Sequence, residues 1–298
     1  MRLSIVVTCY NDGSYLPDCL KSIEAIEIED VELIIVNDGS TEKATLNYLR
    51  SLENEGYKVI NKANGGVSSA RNHGISEAKN DLILLVDADD CIEPQFIHKA
   101  FNTFLKNPST AVVYGNVSRF GQSTAEYKPG EFHLIQMLSG NFIPISALFK
   151  KELWEKVRGF DTSLNSYEDW DFWLRLADQG ALFAYIDALS LHYRDRENSR
   201  NSNSKNPLER KKIVREIVSK NKSLYHQKYS EVIAHLHLTL AQKEIYEENL
   251  EAALEKSNQV ELVKKITTLE QQIIDLKNYY EQSIFWKFKL MLEKIYKK

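Results

Sequence analysis

Asp87 and Asp89 close the run LILLVDADD, two residues apart at the end of an apolar stretch. On a strand that spacing sends both side chains to one side. With Asp90 adjacent, the carboxylates repel one another unless something positive sits among them. The pattern suits a hard divalent cation, Mg²⁺ or Mn²⁺, and it also suits a turn whose aspartates cap the next helix. His192, at the end of a later strand-like run, reads as a third metal ligand or as a surface histidine. Asp38 ends ELIIVND, where a carboxylate can accept a ring N–H of the uracil or thymine kind or simply shape the turn before Gly39. NGGVSSARNHG, residues 64–74, places two glycines and two serines at a helix start, a surface a phosphate can approach closely, with Arg71 as a guanidinium beside it or as a plain helix residue. It is not a G-x-G-x-x-G fingerprint, which disfavours a nicotinamide dinucleotide. In NSYEDWDFWLRLADQG, residues 165–180, Glu168 and Asp169 precede an aromatic helical run. Acids there are macrodipole partners, and Asp169 against an apolar wall is also a place for a general base.

The elements that must carry these residues alternate. LSIVVTCY (3–10), VELIIVND (31–38), YKVINK (57–62) and DLILLVD (81–87) read as strands, with helical patterns between them and Pro94 at the first turn of another helix. Uniformly apolar strands separated by helices predict a parallel sheet covered on both faces. Ligands of such sheets bind at the carboxyl ends of the strands, here Thr8–Tyr10, Asn37–Asp38, Asn61 and Asp87–Asp89. From about residue 112 the pattern is mixed, and a last strand, LFAYIDALSLHYR, runs into the polar stretch 195–206. That stretch reads as a linker or as a lid whose Arg194, Arg196 and Arg200 close over a diphosphate.

With 298 residues, 43% of them hydrophobic, the chain can bury a sizeable core, and its formal charge of −4 gives no reason to expect nucleic acid as a partner. Three cysteines without metal-type spacing, Cys9, Cys19 and Cys91, read as small core residues of a reducing compartment. The amino-terminal apolar run is too short for a signal peptide and no transmembrane run occurs, so a cytoplasmic protein is expected.

Beyond the polar stretch come helical patterns at roughly 207–256 and 258–282. Leu262, Ile266, Leu269, Ile273, Leu276 and Tyr280 form a heptad seam that suits a helical hairpin or a homodimer. Residues 284–298 pair an apolar face with five lysines, the profile of peripheral contact with an anionic membrane or of a face packed on protein.

Taken together, IVVTCYNDGSYLPDCLKSI, ELIIVNDGST, NGGVSSARNHGI, LILLVDADD and GFDTSLNSYEDWDFWLRLADQG, in that order across residues 1 to about 200, resemble the family 2 inverting glycosyltransferases of the GT-A fold. The resemblance implies a Rossmann-like α/β fold, mostly parallel, over residues 1–206, with a nucleotide half at about 1–110 and an acceptor half at about 111–206. An α-helical extension over 207–298 lies outside it. It further implies that Thr8 and Tyr10 line the nucleobase pocket, that Asp38 bonds the uracil N3–H, and that Arg71 lies by the nucleotide. Asp87 would reach ribose or metal-bound water. Asp89 would bind the cation bridging the donor diphosphate, completed by His192, with Mn²⁺ or Mg²⁺ as cofactor. Asp169 would be the catalytic base and Glu168 would orient it or the acceptor. The implied partners are a nucleotide-sugar donor, with UDP ahead of dTDP or GDP, and a glycan or lipid-linked acceptor. A non-catalytic scaffold acting through its helices is the alternative. A sugar-1-phosphate nucleotidyltransferase is a poor fit, because TCYNDGSYLP follows the first strand where that chemistry needs a glycine-rich, arginine-bearing loop.

Overall fold

A computed structural model describes residues 1–196 and 207–256. The chain divides into two compact units, Met1–Ser199 and Arg200–Lys298.

In the first unit the β-branched runs form strands as expected. β1 (Leu3–Cys9), β2 (Val31–Asn37), β3 (Lys58–Asn61) and β4 (Leu82–Asp87) pair in parallel, in the order β3-β2-β1-β4. The helices α1 (Leu16–Glu24), α2 (Lys43–Asn54) and α3 (Val67–Glu77) connect them, and α4 (Pro94–Lys106) follows with Pro94 in its first turn. β1 is buried along its whole length, and Leu16, Cys19, Leu20 and Ile23 of α1 join the core that covers it. α3 packs tightest. A Cβ built on Gly74 would lie 2.3 Å from Val6 Cγ1 and 2.9 Å from Val36 Cγ2, so only glycine lets the helix sit this close to β1 and β2.

The remainder of the sheet is mixed, where the sequence suggested a mostly parallel one. β5 (Cys91–Ile92), β6 (Thr110–Gly121), β7 (Ala125–Tyr127), β8 (Leu148–Lys150) and β9 (Leu182–Asp195) extend it as β4-β8-β6-β9-β5, with β7 on β6. β8 runs antiparallel to both β4 and β6, and β9 runs parallel to β6 but antiparallel to β5. The short helices α5 (Leu134–Ser139) and α6 (Lys151–Lys156) flank β8, and α7 (Glu168–Asp178) buries Trp170, Phe172, Trp173 and Leu174. Asn72 of α3 ties this part to the first: its Oδ1 accepts Trp154 Nε1–H at 2.9 Å and Phe160 N–H at 2.7 Å, and its Nδ2 donates to the Phe160 carbonyl at 2.8 Å.

The second unit is helical. Where the sequence suggested one long pattern over 207–256, the chain forms α8 (Pro207–Lys220), α9 (Lys222–Gln227) and α10 (Tyr229–Lys256). The first break falls at Asn221, buried with its side-chain amide donating to the Ile217 carbonyl, a local bond that competes with helix continuation. No helix among the described residues is long and apolar enough to cross a membrane. Arg200, the heptad seam and the 284–298 tail lie outside the described residues.

Candidate active site

The carboxyl edge of the parallel strands gathers the expected residues. Thr8 and Asp87 are register partners across β1 and β4, and the Thr8 hydroxyl donates to Asp87 Oδ1 at 3.1 Å. Asp87 also receives Arg71 Nη2, at 2.9 and 3.2 Å to its two oxygens, while Arg71 Nη1 donates to Glu168 Oε1 at 2.7 Å. Arg71 is 1% exposed and Glu168 2%. Burial works against the guanidinium's charge, but Asp87 and then Glu168 outweigh it and hold Arg71 charged beyond its ordinary range. A buried carboxylate must be paired, and Arg71 meets that need here with Nη1 on Glu168 and Nη2 on Asp87.

A second arginine is forked in the same way, nearer the surface. Arg196, just past β9, sets Nε 2.8 Å from Asp89 Oδ2 and Nη1 2.5 Å from Asp12 Oδ1, with its side chain 26% exposed. Burial first, and the neighbouring Asp87 charge next, push Asp89 up to about 6, while Arg196 pulls the other way. Asp90 is raised as well, by burial and then by Asp89 and Asp87, and its Oδ1 accepts the Arg194 backbone N–H at 2.8 Å. Arg194 also donates through Nε to the Asp89 carbonyl and through Nη2 to Asp18, both at 2.8 Å, so the end of β9 is strapped across the aspartate turn and the start of α1.

Asp38 lies at the next strand end, 4% exposed. Its Oδ1 accepts Lys62 Nζ at 2.5 Å and the Gly65 N–H at 3.0 Å, and Oδ2 makes no hydrogen bond to a described residue. The turn needs glycine at position 39, where φ is +72° and a Cβ would meet Asn64 N at 2.5 Å. Tyr10 stands at the rim, 46% exposed.

The acid pair begins α7. Tyr167 before it is left-handed, with φ 57° and ψ 24°, a conformation costing a non-glycine residue roughly 1–3 kcal/mol. That kink turns Glu168 inward to Arg71 and leaves Asp169 half-buried beside it. Asp169 Oδ1 accepts the Trp170 N–H at 2.8 Å, and Oδ2 accepts Asn141 Nδ2 at 2.8 Å.

His192 is not brought to the aspartates as a ligand. It faces Cys91 across the β5–β9 ladder, and its Nε2 lies 3.6 Å from Glu93 Oε2. Among the described residues no three His, Cys, Asp or Glu side chains form a group that could hold a metal. The carboxylates nonetheless have the chemistry of a cation site. Asp12, Asp87 and Asp89 crowd one edge, Asp89 is raised by burial and then by that crowding, and a guanidinium stands in as counter-charge. Sequence reasoning missed Asp12, Lys62 and Asn141. Asp12 sits in an Asn-Asp-Gly turn, Lys62 directly follows β3, and neither position differs locally from an ordinary turn or surface residue.

The Glycosyl transferase family 2 model matches residues 4–165. The chain is 31% identical over 184 residues to a chondroitin synthase of Pasteurella multocida, a match covering 60% of this chain and 19% of that protein. It is 32% identical over 193 residues to an uncharacterized glycosyltransferase of Haemophilus influenzae, covering 61% and 64%. The chain thus spans less than two thirds of these relatives' length, and about a fifth of the synthase's. Among solved structures, residues 1–349 of Staphylococcus aureus TarS in complex with UDP-GlcNAc align with a TM-score of 0.62 at 21% identity, covering 74% of this chain and 66% of that one. The mannosyltransferase PcManGT of Pyrobaculum calidifontis, in complex with GDP-Man and Mn²⁺, aligns with a TM-score of 0.60 at 16% identity, covering 94% and 84%. The shared fold is GT-A.

Proposed function

The chain belongs to glycosyl transferase family 2, and we propose that it is an inverting glycosyltransferase that moves a sugar from a UDP-sugar to a hydroxyl of a glycan or lipid-linked acceptor, in polysaccharide or glycoconjugate synthesis. The observation that supports this reading is the chain of contacts Asp87–Arg71–Glu168, which ties the end of β4 to the start of α7, the helix that carries Asp169. A chondroitin synthase among the relatives and a UDP-GlcNAc complex among the neighbours favour a UDP-sugar and a glycan product.

In this reading Asp38 Oδ2 accepts the uracil N3–H while Lys62 and Gly65 hold Oδ1. Thr8 and Tyr10 flank the base, and Asp87, braced by Arg71, takes a ribose hydroxyl. Asp89 is the residue that would hold Mg²⁺ or Mn²⁺, which supplies a positive charge where negative charge grows on the leaving diphosphate. Arg196 is the one of the two forked arginines open enough to yield that carboxylate. Asp169 takes the acceptor hydroxyl's proton as its oxygen attacks the anomeric carbon opposite the leaving group, which inverts the configuration in one displacement. Glu168, locked on Arg71, orients α7 and does not exchange a proton.

Calorimetric titration of UDP, dTDP and GDP with Mn²⁺, then with chelator, tests the reading. UDP is expected to bind in the presence of Mn²⁺ and to lose most of that binding with chelator or in Asp89→Ala. A preference for dTDP or GDP overturns the donor assignment, and no binding of any of the three overturns the function.

A further inference from the structure

We infer that Asn141 is a positioning residue for the proton-accepting carboxylate, aiming Asp169 at the acceptor hydroxyl. The inference rests on Asp169 being the base. Asn141 lies in the segment between α5 and β8, and its amide has a fixed polarity. Its Oδ1 accepts the Ile143 N–H at 3.1 Å, which obliges Nδ2 to face Asp169 Oδ2, at 2.8 Å. The flipped amide would set an oxygen against a carboxylate and an N–H₂ against an N–H, so both contacts select one orientation.

The segment behind Asn141 is rigid enough to aim a neighbour. Phe142 is buried against Tyr114 and Phe132, at ring-centroid distances of 6.3 and 6.1 Å, and Ile143 is buried as well. Trp170, next to the base, donates Nε1–H to the Met137 carbonyl at 2.6 Å, which pins α7 to α5. Asp169 is thus held by two donors from two directions, its own helix's Trp170 N–H on Oδ1 and Asn141 on Oδ2. Two bonds on two oxygens orient the carboxylate through its rotamer and its plane together. A general base works only within hydrogen-bond reach of the proton it takes. A displacement of about 1 Å can cost on the order of 10²-fold in rate.

The discriminating substitution is Asn141→Asp. It keeps the volume and the acceptor for Ile143 N–H, but in place of the donor it sets a second carboxylate against Asp169. Asn141→Ala, which removes the donor without adding a charge, is therefore read beside it and is expected to lose kcat in the same range. A loss confined to Asn141→Asp overturns the inference. Turnover is read as UDP release from an equal mixture of UDP-GlcNAc, UDP-glucose, UDP-galactose and UDP-glucuronic acid, alongside calorimetric UDP affinity. Asn141→Asp is expected to lose about 10–100-fold in kcat with UDP affinity unchanged within about twofold, and to cost nothing further in an Asp169→Asn background. Its crystal structure is expected to show Asp169 turned from its present rotamer. Full kcat, an equal loss in both backgrounds, or an unmoved Asp169 each overturn the inference. If Asp169→Asn itself turns over normally, the base assignment fails, and the inference falls with it for that separate reason.

Discussion

Arg71 and Glu168 are separated by 97 positions in the chain, yet their side chains meet at 2.7 Å with almost no exposure to solvent. Arg71 lies on α3 and Glu168 opens α7. Because Arg71 also holds Asp87, one guanidinium sets the distance between the end of β4 and the helix carrying Asp169. Two carboxylates on one guanidinium leave the buried triad with an excess negative charge, which the partly exposed Asp87 relieves towards solvent.

Removing the guanidinium should therefore cost more than removing either acid. Arg71→Ala strands two carboxylates and is expected to destabilise the fold by about 3–5 kcal/mol, the usual scale for an uncompensated buried charge. Glu168→Gln retains an acceptor for Nη1 and is expected to cost less than half of that. Urea unfolding of both variants decides, and equal losses refute the view of Arg71 as the shared counter-charge.

Asp169→Asn keeps the volume and one of the two accepted hydrogen bonds, sets an amide N–H₂ against the other donor, and cannot accept a proton. Turnover should fall by ~10²–10⁴-fold, with UDP affinity retained. Initial-rate measurement of UDP release beside calorimetry checks the two halves of that statement separately.

The aspartate turn should make stability fall as pH rises through the weakly acidic range. Asp89 has an ordinary value of 3.8 and is pushed up to about 6 in the folded protein. Between those values the folded state binds a proton that the unfolded state has released, so stability declines across roughly pH 4 to 6. Asp90 is shifted in the same direction. Asp89→Asn removes its share, so the variant should exceed the parent by on the order of 2–3 kcal/mol above pH 6 and match it below pH 4. Denaturation curves at pH 4 and 7 test this, and a gap independent of pH refutes it.

If Asp89 holds a divalent cation as proposed, Arg196, whose Nε lies 2.8 Å from Asp89 Oδ2, competes with it. Losing a charge-assisted contact worth about 1.5–3 kcal/mol, Arg196→Gln should bind Mn²⁺ about tenfold or more tighter without nucleotide, as read by paramagnetic resonance titration. Unchanged or weaker binding shows that the guanidinium does not obstruct the cation.

Gly74→Ala gains about 1 kcal/mol of helix propensity but forces a methyl group to 2.3 Å from Val6. Overpacking typically costs about 1–3 kcal/mol, so a net loss of up to about 2 kcal/mol is expected in thermal or urea unfolding. Nucleotide affinity should fall too, because α3 must back away from the sheet and carry Arg71 with it.

How much of this was legible in the sequence varied with the range of the interaction. The four parallel strands and their helices follow from local runs of β-branched residues, and their ends gave Thr8, Asp38, Asp87 and Asp89 directly. β5, β7 and β8 are two or three residues long and carry no period to read. β6 pairs with β9 in parallel across some seventy positions, a choice made by packing that no local pattern announces. Arg71 shows the same limit at the site. An arginine on a helix is ordinarily exposed, and its burial is decided by Glu168 far along the chain. Asn141 was not singled out, because an amide's bond to a carboxylate leaves no spacing signature. His192 was placed correctly on its strand, but its side chain lies with Glu93.

The paired anchors on α3 have a consequence for chimeras. Arg71 reaches into α7 while Asn72, the next residue, clasps the Trp154 and Phe160 backbone and indole groups. The boundary near residue 110, where the sequence suggested a division between a nucleotide half and an acceptor half, is thus crossed by contacts from two neighbouring residues. A hybrid joined there would bring together an arginine and an asparagine from one parent with acids and a loop shaped by another. Such a hybrid keeps these contacts only if α3, residues 154–160 and the start of α7 travel together.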